Sequence, residues 1–376
     1  MDHHEGRSQR GGRCRRRHRL PAQVTGIALR VLVAMSGGVD SSVAAALMKD
    51  AGHDVMGVTL KLWAGPNGEA PTAGCCTVSD AEDARRVAAQ LDIPYYVLDH
   101  TEDFKNGVVD KFVHDYASGR TPNPCIECNR TVKFDRLLAR LDDFECDVLV
   151  TGHHARTREV DGTWQLLRAT DPAKDQSYVL SMLTQRELAR TRFPVGELTK
   201  NQVRQIAAGM GMRTARKAES MDICFVGQRD YRGFLRDVAP EVFEPGSVVD
   251  TDGREVATHD GVAGFTIGQR RGLGVSVGEP RFVIRIEAGT STVVVGRREE
   301  LAVDQVGLHS LTWTSGSGFD GPVMAQYRAH GEPVPAWLSD GSLNFDEPQE
   351  AVAPGQTVAF YDGDLVLGGA LISTTH

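Results

Sequence analysis

Residues 30–35, "RVLVAM", carry no charge after Arg30, and the run ends abruptly at "SGGVDSS" before "VAAALMKDA" resumes. A short β-branched run that stops at a glycine pair and restarts with a helical period reads as strand, tight turn and helix. Few folds accept that sequence of elements: the strand must lie inside a sheet and the helix must pack back across it. Gly37 and Gly38 allow the turn and let a ligand approach the backbone. The opening N–H groups of the helix, with the hydroxyls of Ser36, Ser41 and Ser42, then surround an anion. Asp40 is placed to hold a magnesium ion on bound phosphates. A Walker loop ends in Gly-Lys-Ser/Thr, and its lysine serves the β- and γ-phosphates. Here no lysine follows, which suits chemistry at the α-phosphate, with pyrophosphate leaving as a unit. The alternative is a structural turn that binds nothing.

The alternation runs on to about Thr151. "DVMGVTLKLW", "PYYVLD" and "DVLVTG" read as strands, and "SDAEDARRVAAQL" with stretches 104–116 and 133–141 as helices. Val43, Leu47 and Ala51 share one helix face. Ser79 and Glu82 are spaced as a capping box, and Thr184/Glu187 and Thr199/Gln202 mark two short helices between 176 and 211. This pattern predicts an α/β fold, a parallel doubly wound sheet with its ligand beyond the C-terminal strand ends. After about Pro245 the helical periods vanish. "GSVVDTDGREVATHDG", "RFVIRIEAGTSTVVVGRR" and "QTVAFYDGDLVLGGALI" predict an all-β region of about 130 residues, one barrel or two small units. The expected organisation is a basic disordered tail (1–27), a nucleotide-binding catalytic domain (28–230), a small β-rich middle domain (231–298) and a C-terminal β-barrel (299–376).

The first twenty residues hold seven Arg and two acids, a net +5 in a chain whose total is −8, so the remainder carries −13. Such an arm could hold nucleic acid phosphates or be a dispensable extension. It has no apolar segment of a secretory signal, and no run in the chain approaches the roughly 20 apolar residues of a membrane span. A cytoplasmic protein without a membrane partner is expected. Seven Cys, an odd number in uneven clusters, argue against a disulfide framework. Cys75, Cys76 and Cys146 read as structural.

"SGGVDSS" resembles the pyrophosphate loop (PP-loop) of ATP pyrophosphatases, which adenylylate a substrate and displace the AMP. "GRTPNPCIECNRTVKF" (119–134), "TGHHAR" (151–156), "KDQSYVL" (174–180) and "DICFVG" (222–227) narrow the likeness. With "FPVGELTK", "TIGQRRGLG" and "APGQTVAFYDGDLVLGG", they resemble the tRNA-specific 2-thiouridylases, the MnmA family, in register from about Val31 to the C-terminus.

That resemblance implies ATP-dependent 2-thiolation of the wobble uridine of tRNA. ATP would meet Ala34, Met35, Ser36, Gly37, Gly38, Val39, Asp40 and Ser41, its adenine lying against Leu60 and Gly152. Cys224 would receive a persulfide. Cys128 would be the partner thiol that attacks its outer sulfur or helps deliver it, a disulfide between the two being an intermediate. The flipped uridine would meet Asn123, Pro124 and Cys125. His153, Lys174, Asp175 and Gln176 would touch the tRNA, and Gln326, Tyr327 and Gln356 its anticodon arm. The partners implied are tRNA and a sulfur donor, a cysteine desulfurase or a sulfur-relay protein, acting with a monomer.

One position departs from the family. Many relatives carry aspartate where this chain has Cys125, which puts an acid role there in doubt. With Cys128 and Cys224 it makes three thiolates, a set suited to an iron–sulfur cluster with one open iron, and oxidation-prone thiolates weigh slightly toward that cluster. Two rivals stand beside this reading. An ATP pyrophosphatase acting on a small acceptor explains the loop but not the cysteines. An RNA-binding or cluster-carrying protein with a degenerate loop has no use for Asp40.

Overall fold

The computed structural model describes residues 27–65, 77–218, 223–226, 230–275 and 278–376. Residues 1–26 of the basic tail, together with Cys75 and Cys76, lie outside the described residues. In chain order the first part contains β1 (Arg30–Ala34), α1 (Val39–Asp50), β2 (Asp54–Lys61), α2 (Val78–Gln90) and β3 (Tyr95–Asp99). There follow α3 (Thr101–Phe104), α4 (Asp110–Ala117), α5 (Pro124–Glu127), α6 (Asp135–Ala139) and β4 (Val148–Val150). Next come β5 (Arg156–Val160), β6 (Thr163–Leu167), α7 (Gln185–Ala189), β7 (Thr191–Arg192) and α8 (Lys200–Gly209). Widened π-helical turns join α3 to α4 and α5 to α6.

The first sheet is parallel, in the order β3-β2-β1-β4-β7. Successive β1 residues point to opposite faces. Val31 and Val33 enter a core shared with Val43, Leu47 and Val203, while Leu32 enters another with Phe104, Phe112 and Phe134. Both faces are covered, so the strand is apolar without interruption. Each fully buried Phe or Leu contributes about 2 kcal/mol through removal from water. In α1, Val43 and Leu47 are buried and Ala51 half-buried, but the inward face is wider than expected, since Val39 and Ser41–Met48 are all buried. The α2 box also differs by two residues. Thr77 caps the helix and Asp80 closes the box, because Asp80 Oδ2 accepts from both the N–H and the hydroxyl of Thr77. The boxes Thr184/Glu187 and Thr199/Gln202 form as predicted.

After α9 (Tyr231–Val238) the chain is β-rich, in two units. β8 (Gly246–Asp250), β9 (Glu255–His259), β10 (Phe282–Glu287) and β11 (Thr292–Gly296) form a sheet ordered β10-β11-β8-β9. β12 (Ala302–Trp313), β13 (Gly321–Gln326), β14 (Val334–Ser339), β15 (Ser342–Glu350), β16 (Thr357–Asp362) and β17 (Leu365–Thr375) form a barrel closed by β12 on β17. The β5–β6 hairpin, part of the catalytic region in sequence, joins this last sheet through Leu167 opposite Leu365. Arg168 N–H donates to the Asp364 carbonyl at 2.9 Å, and the Arg156 guanidinium pairs with the Asp364 carboxylate at 2.7 Å.

Candidate functional site

β2 and β4 lie on opposite sides of β1, so the chain changes direction at β1 and opens a crevice at the C-terminal strand ends. The glycine loop fills one lip. Gly37 has φ +72°, and a Cβ there would stand 2.2 Å from the Asp80 carbonyl oxygen, so α2 presses directly on the turn. Gly38 caps α1 without a side-chain bond, which leaves the first-turn N–H groups for an anion. Ser41 Oγ accepts from Ser36 N–H at 3.1 Å, and the buried Ser42 hydroxyl donates to the Gly38 carbonyl at 2.8 Å. These bonds hold the turn. Met35 and Val39 are buried, so they offer a ligand only backbone. Gly152 closes the other lip, where a Cβ would come within 2.5 Å of Ser41 N. Leu60 is buried in the core beneath.

Asp40 is already engaged. Lys200 Nζ donates to both its oxygens at 2.8 and 2.7 Å, and His154 Nε2 lies 3.1 Å from Oδ1. Burial alone would raise the Asp40 pKa, yet the bonds from His154 and Lys200 hold it below the ordinary carboxylate value. A second cation sits at the loop. Lys217 Nζ donates to the Gly37 carbonyl at 3.0 Å and to Asp80 and Asp83 at 2.7 Å each. Burial opposes its charge, but these carboxylates raise its pKa. Sequence reasoning missed both lysines.

The cysteines lie on the other face of the sheet. Asn123 caps α5, its Oδ1 accepting from the N–H groups of Cys125 (3.1 Å) and Ile126 (3.3 Å). Pro124 occupies the first turn, where its missing N–H costs nothing. Cys125 is half-buried, and Cys128 is buried in the main core cluster, against which Cys224 also packs. Cys224 is positioned by its neighbour. Phe225 is surrounded by Phe104, Phe112, Phe234 and Trp63, with ring centroids 5.0 to 6.3 Å away, mostly edge to face. The loop leading to α5 is clasped from both β units. A Cβ on Gly119 would meet Ile286 at 2.8 Å, one on Gly355 would meet Arg120 at 2.8 Å, and Thr121 N–H donates to the Pro354 carbonyl at 2.8 Å.

Residues 29–228 match the tRNA methyl transferase HUP domain family, 232–297 the tRNA methyl transferase PRC-barrel domain family, and 303–372 the aminomethyltransferase beta-barrel domain family. The tRNA-specific 2-thiouridylase MnmA of Roseiflexus sp. (strain RS-1) is 46% identical over 369 residues, covering 92% of this chain and 99% of its own. The enzyme of the same name from Chloroflexus aggregans is 47% identical, covering 91% of this chain and 98% of its own, and that from Geotalea uraniireducens 44%, covering 91% and 94%. The chain belongs to the tRNA-specific 2-thiouridylase MnmA family.

Within this thiouridylase fold the residues expected to touch tRNA divide sharply. Lys174 is half-buried and Gln176 exposed, although Gln176 Oε1 accepts from His154 N–H at 2.9 Å. Asp175 is turned inward: its side chain is 6% exposed and accepts from Arg168, Ala169 N–H and both donors of Ser177. His153 is sandwiched between Phe134 and Phe193, and burial pushes its pKa down to about 3, helped by Lys133. Its Nδ1 lies 2.7 Å from the Thr151 hydroxyl. Gln326 is buried, accepting from Tyr361 and donating to the Arg328 carbonyl, and Tyr327 packs on Phe345 with its hydroxyl bonded to Gln349. Among the described residues, Gln356 Oε1 is buried without a hydrogen-bond partner. For Asp175, Gln326 and Tyr327 the side chains serve the fold first.

Among the described residues, no three His, Cys, Asp or Glu are gathered to hold a metal ion, Cys125, Cys128 and Cys224 included. Asp40, the expected magnesium ligand, meets Lys200 on both of its oxygens, and each oxygen keeps a lone pair for a further partner.

Proposed function

We propose that this chain replaces the C2 oxygen of the wobble uridine of tRNA with sulfur, at the expense of ATP. The observation that carries the reading is the pairing of two features at one sheet: an uncapped glycine loop at the C-terminal end of β1, and Cys128 and Cys224 packed on a single core cluster. Methyl transfer, the reaction in two of the matched family names, requires neither a thiol pair nor such a loop. In the first step the uridine O2 attacks the α-phosphorus of ATP, the bond to the bridging oxygen breaks, and pyrophosphate departs with the bond electrons. The loop N–H groups meet the charge that develops. In the second step the outer sulfur of a Cys224 persulfide attacks C2, and AMP leaves with the former carbonyl oxygen. Atoms balance when the Cys128 thiolate then attacks Cys224 Sγ, leaving the outer sulfur on the uridine and a Cys128–Cys224 disulfide, which an external thiol reduces.

Mass-spectrometric nucleoside analysis of tRNA, after incubation with ATP and a persulfide donor, tests the reading. It predicts 2-thiouridine in step with AMP and pyrophosphate. ADP and phosphate as the main products would reject it.

A further inference from the structure

Resting on that adenylylation chemistry, we propose that Lys217 is the cation that binds the pyrophosphate of ATP and carries its charge as it leaves. The loop's own sequence lacks a lysine, yet the fold delivers one from 180 residues downstream to within 3.0 Å of the Gly37 carbonyl. Its approach is fixed from two directions. Arg204 Nη1 donates to the carbonyls of Ala215 (2.8 Å) and Lys217 (3.2 Å), anchoring that backbone to α8. Asp80 and Asp83 of α2 hold the ammonium beside the turn. The side chain remains 29% exposed, so an anion entering the loop can reach it.

The two carboxylates are not equivalent. Asp80 is committed to the α2 cap through its Oδ2 and shows Lys217 only Oδ1. Asp83 has another cation at hand, Arg86 at 3.7 Å. When a pyrophosphate enters, Lys217 exchanges its hold on Asp83 for the anion. As the bridging oxygen takes the electrons of the broken phosphorus–oxygen bond, the ammonium neutralises it, at a point where a charge-assisted bond is strongest. A lysine present only to neutralise α2 could bind Asp80 and Asp83 anywhere along the helix; this one is also bonded to the anion-binding turn.

The experiment is calorimetric titration of the full chain with inorganic pyrophosphate, with AMP as control and melting curves to establish folding. Lys217→Met should weaken pyrophosphate on the order of tenfold or more while AMP affinity stays within about twofold, and Lys217→Arg should recover most of it. Asp83→Asn removes the competing carboxylate and should tighten pyrophosphate. An unchanged pyrophosphate affinity in folded Lys217→Met overturns the assignment. If that variant does not fold, Asp83→Asn decides, and unchanged or weaker binding there overturns it equally. Pyrophosphate binding through Lys217 in a chain that thiolates no tRNA would sink the proposed function and leave this site standing.

Discussion

Lys200, the first residue of α8, grips both carboxylate oxygens of Asp40, a residue 160 positions earlier, at 2.8 and 2.7 Å. A residue that did no more than hold a metal could be replaced by alanine without cost to the fold. The ion pair argues otherwise. Removing the carboxylate strips a buried ammonium of its bidentate partner, a loss of about 3–5 kcal/mol in a fully buried pair and less where, as here, Asp40 is 27% exposed. Asp40→Ala should therefore lower the melting temperature as well as abolish turnover. Asp40→Asn combined with Lys200→Met should lose less stability than the two single changes added together. A wild-type melting curve for Asp40→Ala would contradict this.

Cys125 occupies the second position of α5, half-buried, with its N–H on Asn123. If sulfur travels through Cys224 and Cys128 alone, Cys125→Ser keeps most of the thiolation rate, while Cys128→Ser and Cys224→Ser lose nearly all of it. The measurement is 2-thiouridine formed per minute by each variant. Near-complete loss in Cys125→Ser, together with iron in anaerobically purified protein, would favour the cluster mechanism instead.

Tyr178 links the barrel to the cysteine helix. Its buried hydroxyl donates to the Thr357 carbonyl at 2.9 Å and is also hydrogen-bonded by the Asn123 side chain. Tyr178→Phe leaves a buried carbonyl unmet, at a cost of about 1–2 kcal/mol, and loosens the cap of α5. Thiolation should slow several-fold while the KM for ATP stays unchanged, because the glycine loop is untouched. Equal changes in both constants would mean that the link does not act through α5.

His153 takes up a proton only near pH 3 in the folded chain, against about 6.5 when unfolded. As pH falls below 6.5 the unfolded chain is protonated first, so the folded state loses stability between pH 6.5 and 3 and is unaffected above that window. His153→Asn should flatten the fall in melting temperature between pH 7.5 and 5. A parallel fall in both proteins would assign the acid sensitivity to other groups.

What was legible in the sequence follows the range of the interactions. The β1–loop–α1 unit could be read because its determinants are contiguous: Val31 and Val33 face one core, Leu32 the other, and the glycines lie where the turn must be. The cap of α2 falls two residues earlier than expected because Ser79/Glu82 and Thr77/Asp80 both satisfy a three-residue spacing, and only the folded chain decides which carboxylate turns back. Lys200 and Lys217 carry no local signal at all; each meets the loop across 160 or 180 residues. The β5–β6 hairpin was a different kind of miss. Asp161 and Gly162 both have positive φ, as a two-residue hairpin turn demands, and the Asp-Gly pair between alternating residues announced it.

That hairpin has a consequence for modularity. Its pairing with β17 means the polypeptide that builds the crevice beside β1 also adds a hairpin to the outside of the closed terminal barrel. A chimera that exchanges barrels between two relatives at the linker before β12 would graft a foreign edge onto native β6, at Leu167, Arg156 and Arg168. The transplantable unit is therefore discontinuous, residues 156–168 travelling with the barrel although more than a hundred residues of chain separate them.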